Sequence, residues 1–172
     1  EFDEEARFAR VRDQMVDAVM KRGLRFVFIG CSDGHGLLFH HGVARKRDPF
    51  RCGLTAVQAE DCTREAILRA VRERRCYATS GPPIFLDLRA AGAPMGSELT
   101  IAAPLVARAE ASCAIAIRSL ALVGPDGAFA ELSGEGLTEA SLEAMVGPGW
   151  VYARVEQEDG EMAWSSPIFL DG

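Results

Sequence analysis

Apolar positions change their rhythm along this chain. Near the start, Phe8, Val11, Met15, Ala18 and Val19 recur at three- and four-residue steps with charged residues between them, which predicts an amphipathic helix over 4–22. Gly23 is its expected stop. The run Arg25-Phe26-Val27-Phe28-Ile29-Gly30 reads as a short strand buried on both faces. Helix, buried strand and polar loop together predict an α/β layer. Residues 53–60 read as a second strand or extended segment. A helix follows, capped by Asp61 or Thr63, with Ala66, Ile67, Ala70 and Val71 as its apolar stripe.

After Cys76 the period falls to two. Val106, Arg108 and Glu110 face one way, and Leu105, Ala107 and Ala109 the other. Pro125-Asp126-Gly127 and Asp159-Gly160 are turn signals. Several short strands with regular turns predict a small antiparallel β-sandwich. Residues 133–149 read as an insertion with a helical turn, and Ser80-Gly81-Pro82-Pro83 as the boundary between a first domain, 1–80, and a second, 81–172.

Composition narrows the function. The 172 residues are 48% hydrophobic and 26% charged, enough for a core. A net charge of -6 argues against nucleic acid or a membrane surface as a general partner. No apolar stretch approaches a membrane span. The start, Glu1-Phe2-Asp3, is neither a signal peptide nor an initiating Met, so a natural start upstream is expected. Five cysteines without paired spacing read as reduced thiols.

All three histidines lie between positions 35 and 41. Asp33-Gly34-His35 puts a carboxylate and an imidazole two positions apart, so that an extended backbone projects both to one side. That pair suits zinc, manganese or iron; a loop in which Asp33 caps a turn is the plain alternative. His40 and His41 are adjacent and point apart, so at most one joins the pair. Cys31 fits a small cysteine at a strand end better than a ligand. Arg45, Lys46, Arg47 and Arg51 form a basic patch able to hold an anionic substrate, or simply a solvated loop. Arg64 and Glu65 begin the second helix, and Trp150, Tyr152 and Trp164 read as packing residues.

The stretch "FIGCSDGH", followed by "GLTAVQAEDCTREAILRAVRERRCYATSGPPIFLDLRAAGAPMGSEL" and by the ending "AWSSPIFLD", resembles the C-terminal part of metallohydrolases of the PHP (polymerase and histidinol phosphatase) superfamily, carbaryl-hydrolase-type branch. The resemblance covers about residues 24–170. It implies an α+β chain: the last helix and strand units of a PHP-type α/β barrel, then the small sandwich. It also implies metal-dependent hydrolysis of phosphoester or ester bonds, with Asp33 and His35 as the final ligand pair. The superfamily's early H-x-H motif has no counterpart, since no histidine precedes His35. The chain therefore reads as a C-terminal fragment whose other ligands lie outside it, and two ligands are too few for an ordinary zinc site. Alone it is expected to bind metal weakly and hydrolyse little, and to self-associate or pack on the missing barrel region. The competing reading is a non-enzymatic sandwich module for interaction or binding.

Overall fold

The computed structural model describes residues 16, 18–31, 53–81 and 83–172. Its strands are β1 (Leu54–Val57), β2 (Cys76–Thr79), β3 (Phe85–Ala90), β4 (Ala93–Pro94), β5 (Glu98–Thr100), β6 (Leu105–Ser112), β7 (Ile117–Gly124), β8 (Gly127–Ser133), β9 (Glu139–Val146), β10 (Gly149–Gln157), β11 (Met162–Ser165) and β12 (Ile168–Asp171). Helix α1 (Arg64–Arg72) lies between β1 and β2. Eight strands make one sheet, in the order β1-β2-β11-β10-β12-β5, with β7 on the other side of β10 and β8 beyond it. The second sheet is β4-β3-β6-β9.

The two sheets meet over one core, built by period-two alternation. Leu120 and Leu122 of β7, with Val151, Ala153 and Val155 of β10, point inward from the larger sheet. Leu86 and Leu88 of β3, with Ala107, Ala109 and Ala111 of β6, meet them from the smaller. Small side chains on β6 let the sheets approach; branched ones opposite fill the space. Gly127 (φ +100°) closes the β7–β8 hairpin, and Gly160 (φ +82°) turns β10 into β11, both at turns the sequence marks.

This arrangement overturns the expected α/β barrel portion. A barrel unit needs parallel strands joined by a helical crossover. Here β1 and β2 flank α1 yet pair antiparallel, from Leu54↔Thr79 to Val57↔Cys76. Among the described residues, β5 with β12 is the one parallel pair. Strands on both sides of position 80 share the larger sheet. The described chain is mostly antiparallel β, in two packed sheets with one short helix.

The segment expected as a buried strand, 25–30, joins no ladder. It crosses the outer face of the larger sheet instead. The preceding helical residues, 18–21, stop at Gly23 (φ +79°). The Leu24 N–H donates to the Val19 carbonyl at 3.4 Å and the Gly23 N–H to that of Met20 at 2.8 Å. That is the paired-bond ending for which a left-handed glycine is suited. Residues 133–149 also differ from expectation: they contain β9, which pairs with all of β6 from Leu105↔Val146 to Ser112↔Glu139. Helix α1 is capped by Thr63, whose side chain accepts from the Ala66 N–H, while Asp61 accepts from the Cys62 N–H.

Candidate functional site

Asp33, His35, His40, His41, Arg45, Lys46, Arg47 and Arg51 lie outside the described residues. What is described is how the chain enters and leaves their interval. Cys31 and Gly53 are the two ends, and they meet beside β1. A Cβ on Gly30 would sit 2.4 Å from the Leu54 carbonyl oxygen; one on Gly53 would sit 2.7 Å from that of Cys31. Neither glycine has a positive φ, so close backbone approach is what demands glycine at both.

Thr55 joins the two ends. Its hydroxyl accepts from the Gly30 N–H at 3.1 Å and donates to the Gly30 carbonyl at 2.8 Å. Two residues upstream, the Phe28 N–H donates to Ser166 Oγ at 3.1 Å, and that hydroxyl donates to the Cys76 carbonyl at 2.6 Å. Burial pushes the Cys76 thiol above its ordinary pKa, partly offset by its contact with Ser166. It is therefore a packing thiol rather than a thiolate ligand at neutral pH.

Further back, Arg25 fixes the same segment. Its guanidinium pairs with Glu98, and with both Asp171 oxygens at 2.6 and 2.8 Å. The bonds to Asp171, then those to Glu98, raise the Arg25 pKa above its ordinary value. Arg25 and Arg74 both stand over the Phe169 ring, at 5.5 and 5.8 Å from its centroid. Beneath the segment, Phe28 meets Tyr152 edge-on at 5.3 Å, and Trp150 stacks on Tyr152 at 5.7 Å. Trp150 and Tyr152 are thus packing residues, as expected from the sequence.

Among the described residues no group of three His, Cys, Asp or Glu side chains converges as a metal site. The donors of Asp33 and His35 suit a divalent ion in kind, but supply only part of a ligand set. Cys31, next to them in sequence, is an exposed free thiol, as is Cys62, while Cys76 and Cys113 are free but buried. Arg64 and Glu65 are exposed in the first turn of α1. Sequence reasoning missed Arg25, Thr55 and Ser166. Their one signal was a polar side chain within or beside an apolar run.

Comparison with known proteins adds length rather than chemistry. Residues 40–114 match a family described as proteins of unknown function, DUF3604. An uncharacterised protein of Chlamydia trachomatis is 33% identical over 175 residues, covering 90% of this chain and 28% of its own length. Uncharacterised proteins of Chlamydia muridarum (32%) and Chlamydia pneumoniae (31%) align over 90% and 88% of the chain, and again 28% of theirs. The chain thus spans under a third of the length of the curated relatives it matches. No solved structure matches it.

Proposed function

We propose that this chain is the sandwich-bearing part of a longer metal-dependent hydrolase acting on phosphoester or ester bonds. In this reading Asp33 and His35 supply two ligands to a divalent ion, zinc, manganese or iron, and the remaining ligands come from elsewhere in the longer protein. The observation that carries it is the anchoring of the D-x-H interval: both ends are locked to the sheet by residues that tolerate little change. Such anchoring suits a segment that must present side chains at a defined place. The resemblance in "FIGCSDGH" and the greater length of the relatives support it from two other directions.

The Asp33 carboxylate and a neutral His35 imidazole would hold the ion. Bound there, the ion supplies a water of lowered pKa and stabilises negative charge at the reacting centre. Arg45, Lys46 and Arg47 would bind the anionic part of a phosphoester and orient it by charge-assisted hydrogen bonds.

The test is model-phosphoester and model-ester hydrolysis by the longer protein and by its Asp33→Asn and His35→Asn variants. Each substitution should reduce metal-dependent turnover on the order of a hundredfold or more, above the 10–100-fold typical of losing a group that merely supports a ligand. Full activity in both variants would leave the non-enzymatic sandwich module as the better reading.

A further inference from the structure

We propose that two copies of this chain associate through β9, the edge strand of the smaller sheet, pairing antiparallel about Leu142 to make one continuous sheet across the dimer. Among the described residues β9 pairs on one side, with β6. The phase of that ladder fixes what its other side offers. The Cys113 N–H donates to the Thr138 carbonyl at 2.9 Å. Residues 138, 140, 142, 144 and 146 therefore bond to the β6 side, and residues 139, 141, 143 and 145 direct N–H and C=O groups at the free edge. Those outward groups have no backbone partner among the described residues. Sheet edges are ordinarily blunted, and the others here are. β4 is two residues ending in Pro94, and β5 is three. β1 has Gly30 against its backbone, and the β8 ladder shifts register between Leu122 and Val123. β9 runs eight residues with no proline and no break in its ladder.

The strand's own sequence makes a second copy the fitting occupant. Outward-bonding residues must meet one another, so register changes in steps of two. Centred on Leu142, Glu139 stands opposite Met145 of the second copy, and Ser141 opposite Glu143. Moving the centre to Ser141 sets Glu139 against Glu143, and moving it to Glu143 sets that residue against itself. Like charges directly opposite destabilise a strand pair. On its own side Glu143 is offset by Arg108 at 3.3 Å. The same register joins the core faces. Ala140, Leu142 and Ala144, each only partly buried at the edge, meet Ala144, Leu142 and Ala140 of the second copy. The contact is isologous about a two-fold axis, so it closes at a dimer.

The test is sedimentation equilibrium on the 172-residue chain and on the longer protein, each beside its Ser141→Glu, Ser141→Lys and Ser141→Pro variants. Ser141 is exposed and directs its N–H away from β6, a position where an edge strand tolerates proline. Wild type should dimerise as concentration rises. Ser141→Glu sets two like-charge pairs in the contact and should weaken it about tenfold, while Ser141→Lys should tighten it by roughly the same factor. Ser141→Pro removes an edge donor from each copy and should abolish it, with the circular dichroism of the sandwich retained. The opposed effects of Glu and Lys decide the matter should Ser141→Pro fail to fold. Amide exchange at Ser141 and Glu143 should slow as wild type dimerises, more than at Leu142, whose N–H is already bonded to β6. A wild-type chain that stays monomeric at every concentration overturns the proposal. A dimer that Ser141→Glu and Ser141→Lys leave unchanged also overturns it, by placing the contact on another surface. So does a longer protein that stays monomeric while the 172-residue chain pairs, which makes the rest of that protein the occupant of the edge.

Discussion

The larger sheet is covered on both faces, but by different means. Its inner face meets the smaller sheet through aliphatic side chains, with Leu120, Leu122, Val151 and Val155 fully buried. Among the described residues, its outer face meets the crossing segment and the helical residues before it, with Trp150, Tyr152 and Phe169 against Phe26, Phe28, Val16 and Met20. There the cover is half-buried: Phe26 and Phe28 pack inward, while Leu24 and Ile29 are 55% and 61% exposed. On the inner side, register along whole strands fixes every contact. The outer cover is held at points, by Arg25, Ser166 and Thr55. The inner interface therefore makes the fold, and the outer one holds the ends of the interval that carries Asp33 and His35.

That contrast can be broken from either side. Leu122→Ala empties a fully buried position between the sheets and should cost about 2–5 kcal/mol, measured by denaturant unfolding. Phe28→Ala removes a half-buried ring and its edge-on partner, and should cost about 1–2 kcal/mol. It should also loosen amides of the crossing segment before those of β7 and β10. An equal loss of protection in both places would show that the two faces are one cooperative unit.

A smaller effect appears at high pH. Burial, then the Asp159 carboxylate, raise the Cys113 thiol from 9.0 to about 11. The folded state thus holds its proton more tightly than the unfolded state. Through this thiol, stability is unaffected below pH 9 and falls as pH rises from there toward 11. Cys113→Ala should flatten that part of the profile; an unchanged slope would place the loss elsewhere. Arg25→Ala should have the smallest effect on global unfolding, because its ion pairs with Glu98 and Asp171 are solvent-accessible. Added salt should reduce the difference from wild type, whereas Phe28→Ala should be indifferent to salt.

The legible part of the sequence was whatever a local rule decides. Alternation in β6, the turns at Gly127 and Gly160, the stop at Gly23 and the Thr63 cap all follow from backbone chemistry over a few residues. Strand β9 did not follow. "EASLEAMV" is made largely of good helix formers, and it is a strand because β6 offers a ladder and Ala140, Leu142 and Ala144 pack against the core. The α/β reading failed for a related reason. Two short apolar runs around a helix look alike whether the strands pair parallel or antiparallel, and only long-range pairing decides. The run at 25–30 was read correctly as apolar and wrongly as a ladder strand: periodicity shows that a segment is covered, not that it hydrogen-bonds. Asp33 and His35 are expected as ligands from residue type, spacing and the resemblance together, and both lie outside the described residues.

Under the proposed function, Asp33 and His35 hold a metal ion at a site completed by the rest of a longer protein. Metal analysis by plasma mass spectrometry on that longer protein tests it most directly, beside its Asp33→Asn and His35→Asn variants. The expected result is bound divalent metal in the wild type and a clear loss in each variant, with the circular dichroism of the sandwich retained. Metal content equal in all three proteins, or no metal in any of them, would contradict it.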